Sequence, residues 1–103
     1  MDSEDFITSI MKLIIPISNA KRNKWDSRLE ENLVYNYLKN NTDVLEFIKT
    51  QGISKNDYEE FQKQIKIEIV DKAGLYRTED EIKKQISFRF DEFFRSEKFA
   101  AAA

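Results

Sequence analysis

Ile65-Lys66-Ile67-Glu68-Ile69 and Ile86-Ser87-Phe88-Arg89-Phe90-Asp91 are the two runs whose reading decides the fold of this chain. Both alternate apolar and polar residues at the strand period, and both are rich in β-branched or aromatic side chains. Each also lies inside a longer stretch that opens with a helix signal. Ser54 followed by Asp57, a relative of the capping box, starts a segment running to about Lys72, with Gly74 beyond its end. Thr78 followed three residues later by Glu81 is a full capping-box match. A strand has no use for a capped start, so both runs are read as helix. At about 100° per residue, Ile82, Ile86, Phe90, Phe93 and Phe94 then share one broad stripe. The alternative is an α+β fold with a hairpin built from residues 62–70 and 84–91, two runs that share Lys-Gln-Ile.

Outward from these runs, the rest of the chain also reads as helix. Phe6, Ile7, Ile10, Met11, Leu13 and Ile14 have helical spacing behind Ser3, Glu4 and Asp5. Pro16 is expected to end or kink that helix, leaving residues 16–24 as a polar connector. A second helix beginning near Asp26 or Ser27 places Leu29, Leu33, Val34, Tyr37 and Leu38 on one stripe and ends at Asn40-Asn41. A short third helix, capped by Thr42 or Asp43, turns Val44, Leu45, Phe47 and Ile48 inward, and Gly52 suits the left-handed position past its end. Only two Gly and one Pro are available for turns. The expectation is therefore an all-α compact bundle of four to five helices, forming a single domain over residues 1–98. Residues 99–103 are read as a vector-derived tail.

Composition narrows the chemistry more than the fold. The 103 residues carry 17 Lys+Arg against 19 Asp+Glu, with neither Cys nor His. That removes disulfides, thiolate nucleophiles, Cys-rich zinc sites and the usual general base near neutral pH. No P-loop or Gly-rich phosphate cradle is present, and no Ser, Lys or Tyr has neighbours that suggest activation. Glu79-Asp80-Glu81 reads as charge in a first helical turn rather than as metal ligands. A non-enzymatic protein without cofactor or metal is expected. The acidic start and the interrupted apolar stretch Phe6–Ile17 fit neither a secretory signal nor a bilayer span, so a cytoplasmic location is expected.

Two surfaces stand out. If the last two helices form, Tyr58, Phe61, Ile65 and Ile69 lie together while Ile67 and Val70 point nearly opposite, and Phe88 and Phe99 oppose the main stripe of the final helix. Phe88, Ile67 and Val70 are therefore the candidate partner-binding residues, with Phe88 the first choice because aromatics enrich interface cores. The second surface is the basic cluster Lys21, Arg22, Lys24, Trp25 and Arg28, where the bland reading packs Trp25 back on the core as a staple. Residues 44–61 look like a helix-turn-helix, but Asp57, Glu59 and Glu60 on its second helix would repel phosphates.

These features point to a small protein-interaction module, acting as a regulator, adaptor, inhibitor or small subunit of an assembly. Its expected partner is a protein or a second copy, with no membrane and no metal. The alternative is a nucleic-acid-binding regulator using the basic cluster and the degenerate helix-turn-helix near Gly52.

Overall fold

The computed structural model describes residues 1–94 and is all-α. Five α-helices run in the order α1 (Ser3–Arg22), α2 (Arg28–Asn40), α3 (Thr42–Thr50), α4 (Lys55–Gln64) and α5 (Glu79–Phe94). A π-helical segment, Ile65–Val70, continues α4, and a 3₁₀ turn, Ala73–Leu75, leads toward α5. Both alternating runs are helical, and no strand occurs among the described residues. The tail read over residues 99–103, and Phe99 with it, lie outside the described residues.

The cap signals act as their chemistry requires. The Asp57 amide donates to Ser54 Oγ at 3.1 Å. The Glu81 amide donates to Thr78 Oγ1 at 3.1 Å, while Glu81 Oε2 accepts from the Arg77 amide at 3.2 Å. Gly52, past the end of α3, has a positive φ of 72°. The cap of α3 is Asn41 rather than Thr42 or Asp43, its Oδ1 accepting from the Asp43 and Val44 amides.

Pro16 does not break the first helix, and residues 16–22 are not a connector. The α1 helix runs through Pro16 because Ile10, Ile14, Ile17 and Ala20 continue one buried stripe across it. Pro16 sits on the exposed side, as does Lys12, the residue whose carbonyl loses its amide partner. The helix ends six residues later, at Arg22, and closes with a Schellman motif. The Lys24 amide donates to the Lys21 carbonyl at 3.2 Å, and the Trp25 amide to the Ala20 carbonyl at 2.8 Å.

The core is a single cluster in which α1 is central, packed against α2, α5 and the 3₁₀ turn. Phe6, Phe61 and Phe90 are fully buried. Phe6 meets Phe47, Phe61, Phe90 and Phe94 at ring-centroid distances of 5.3 to 6.0 Å, a favourable aromatic arrangement. Two tyrosine hydroxyls tie helix ends down: Tyr58 donates to the Leu38 carbonyl, and Tyr76 to the Glu68 carbonyl at 2.8 Å. No helix of the described residues is long and apolar enough to cross a membrane.

The π-segment corrects one expected surface residue. In an α-helix, Val70 would point away from the face of Ile65 and Ile69. Here the Asp71 amide reaches back five residues to the Lys66 carbonyl at 2.9 Å. A five-residue hydrogen bond widens the turn, so residue i+5 comes round beside residue i. Ile65, Ile69 and Val70 are consequently all fully buried, and Val70 belongs to the core.

Helix α2 departs from expectation the other way. Val34 and Leu38 face the core, flanked by half-buried Tyr35 and Tyr37. Leu29 and Leu33 do not, being 78 % and 58 % exposed. Leu45 of α3 is likewise exposed, leaving Val44, Phe47 and Ile48 as the inner face.

Candidate interaction surface

Of the three residues expected to meet a partner, Phe88 and Ile67 are on the surface, 61 % and 43 % exposed. Ile82, Ile86, Phe90 and Phe94 take the inner face of α5, and the helical period leaves Phe88 opposite them. Ile67 faces out, as the α period also requires, while its neighbours Ile65, Ile69 and Val70 face in.

A charged cluster joins the two. The Arg89 guanidinium lies 3.7 Å from Glu68 Oε2 across the seam between the π-segment and α5. It also donates to Glu92 Oε2 at 3.2 Å and to Gln64 Oε1 at 3.5 Å, and sits 5.1 Å from the centre of the Phe88 ring, within cation–π range. Lys72 Nζ donates to Glu68 Oε2 at 2.8 Å, and this bond holds the Glu68 carboxyl below its usual range while raising Lys72. Ile67 and Phe88 are the chain neighbours of the Glu68–Arg89 pair. The result is an exposed aromatic and an exposed aliphatic side chain bordered by charges of both signs held in place by one another.

The residues of the basic cluster are less uniform than their sequence suggests. Arg28 is occupied by Asp26, with Nε and Nη2 donating to its carboxylate at 2.9 to 3.1 Å. Each raises or lowers the other's pKa in the direction of an ion pair. Lys21 packs beneath Gly74, where an added Cβ would come within 3.0 Å of its own Cβ. Arg22 donates to the Asn19 side-chain oxygen at 2.6 Å, and Lys24 has a left-handed backbone with φ 59°. Trp25 is not a staple: it is 67 % exposed. Near Gly52, Glu59 and Glu60 of α4 are exposed, so the acidic second helix of the degenerate helix-turn-helix faces solvent as its sequence implies.

Sequence reasoning missed that Leu29 and Leu33 stay exposed one turn apart on α2, with Trp25 exposed in the connector before it. A signal was present. Val34 and Leu38, with Tyr35 and Tyr37 on either side, already fill the arc that a helix of this length buries, leaving Leu29 and Leu33 beyond its edge.

Chemistry is sparse elsewhere. A cleft of about 400 Å³ between the end of α2, α3 and α4 is lined by Lys39, Leu45, Lys55, Tyr58, Glu59 and Gln62. Its one hydroxyl, on Tyr58, is committed to the Leu38 carbonyl, and burial pushes its pKa up, away from use as a base. Among the described residues no group of three or more His, Cys, Asp or Glu is placed to hold a metal ion. Comparison of the chain with protein-family models, with curated proteins and with solved structures finds no match.

Proposed function

We propose that this chain is a small non-enzymatic interaction module that binds another protein, with Phe88 as the anchor and Ile67 beside it. The supporting observation is the Phe88 ring itself. It is 61 % exposed on a helix whose remaining apolar side chains are buried or half-buried, so the fold makes little use of it. Large aromatics bordered by ordered polar groups are the usual anchors of protein interfaces, and charges of both signs at the edge fix orientation. A regulator, adaptor, inhibitor or small subunit would all work this way.

The test is capture from a lysate of the source cells with tagged wild type and Phe88→Ala, quantified by mass spectrometry. A hot-spot residue contributes about 2 kcal/mol or more, so specific partners should fall by about thirtyfold in the variant. Circular dichroism should stay unchanged. Equal capture by both proteins would remove Phe88 as the anchor.

A further inference from the structure

A different region carries an independent inference. Leu29, Leu75 and Trp25 are the most exposed large apolar side chains of the described residues, at 78 %, 72 % and 67 %. Each stands near the end of α1, Trp25 and Leu29 by following it in the chain and Leu75 through its neighbour Gly74, which packs on Lys21. The Trp25 amide is held there by the Schellman bond to Ala20, and Leu29 and Leu33 lie one turn apart at the start of α2. Leu75 is pinned to the last turns of α1 on both sides, by the approach of Gly74 to Lys21 and by the 2.8 Å bond from the Ser18 hydroxyl to the Tyr76 carbonyl. The outward line of α2 beyond these residues is neutral, continuing as Asn32, Asn36 and Asn40.

Lys21 and Arg22 in the last turn of α1 and Lys24 just before Trp25 supply the charge here, none in an ion pair with a carboxylate among the described residues. Lys24 is the more telling because its left-handed backbone is one that glycine adopts freely and lysine does not. The chain places a cation where folding alone favours glycine.

We propose that the region around the end of α1 seats on the surface of an anionic lipid bilayer, with Trp25, Leu29 and Leu75 entering the headgroup boundary and Lys21, Arg22 and Lys24 contacting acidic headgroups. Tryptophan and leucine beside lysine and arginine is the composition of interfacial membrane contacts. This mode requires no membrane-crossing helix, the feature on which the sequence expectation of no membrane partner rested. Nucleic acid fits less well, because two of the three apolar residues are leucines that cannot stack on bases. A second copy fits less well too. Pairing across this region would bring two sets of like-charged Lys21, Arg22 and Lys24 together.

The single tryptophan makes the experiment direct. The full chain is mixed with phosphatidylcholine vesicles, with or without phosphatidylserine, and followed by co-sedimentation and Trp25 emission. Binding to the phosphatidylserine vesicles should be about 100-fold stronger than to phosphatidylcholine alone, given about 1 kcal/mol per surface cation. It should be accompanied by a blue shift and lost in Leu29→Ser. Lys24→Gly should bind about fivefold more weakly while unfolding at higher denaturant. No binding to phosphatidylserine vesicles, or binding that leaves Trp25 emission unmoved, overturns the proposal. A lipid-free dimer abolished by Leu29→Asp would assign the region to a second copy and overturn it as well.

Discussion

Helix α2 and the stretch from α4 through the π-segment carry apolar residues over more than one face, yet they treat the surplus in opposite ways. In the π-segment one hydrogen bond, Asp71 to Lys66, turns Val70 in beside Ile65 and Ile69 and leaves only Ile67 outside. Helix α2 keeps ordinary helical geometry to its end, so Val34 and Leu38 are buried while Leu29 and Leu33 stay in water. The number of apolar residues is therefore a poor guide to which of them build the core. The backbone hydrogen-bond register decides, and it can move a residue from one side of a helix to the other.

The comparison breaks most visibly in stability. Ile69→Ala should lower the unfolding free energy by about 2–5 kcal/mol, because Ile69 is fully buried and its loss leaves a cavity. Leu29→Ala should stay within about 0.5 kcal/mol of wild type. Urea denaturation of both separates the outcomes, and a large loss at Leu29 would mean that α2 is packed differently.

A smaller effect sharpens how α2 is held against α4. Tyr58→Phe removes the hydroxyl that satisfies the Leu38 carbonyl and should cost about 1 kcal/mol. Burial also raises the Tyr58 pKa above its ordinary 10.0, so the folded state keeps a proton that the unfolded chain releases. That contribution is fully present below pH 10.0 and is lost as pH rises above it. The phenylalanine variant should show a shallower alkaline decline in denaturation midpoint.

The smallest effect concerns the seam between the π-segment and α5. The hydrogen bond from Lys72, with Arg89 nearby, depresses the Glu68 pKa below 4.5. Its contribution is present above that value and disappears as pH falls through the lower folded-state value. Wild type and Glu68→Gln should therefore differ by a small constant amount above pH 4.5 and converge in more acid solution. A gap that widens with acid would contradict the ion pair.

Much of the fold is legible in the sequence, because capping chemistry is local. Ser54, Thr78 and Gly52 perform where their spacing places them, and the caps of α4 and α5 rightly outweigh the strand-like alternation of the two deciding runs. Pro16 was misleading because its effect depends on which face it occupies, a tertiary fact. Val70 was misleading because no local residue pattern announces a five-residue hydrogen bond. The candidate surface was half legible. Phe88 and Ile67 follow from helical period alone, whereas the exposure of Trp25, Leu29 and Leu33 depends on how much of α2 the neighbouring helices cover.

The central claim is that backbone hydrogen-bond register, π in one segment and α in the other, sorts apolar residues into the core, with Val70, and the surface, with Phe88. Paired urea denaturation of Val70→Ala and Phe88→Ala tests it most directly. Val70→Ala should lose about 2 kcal/mol and Phe88→Ala less than about 0.5 kcal/mol. The reverse order, with Phe88 needed for stability and Val70 dispensable, would contradict the account.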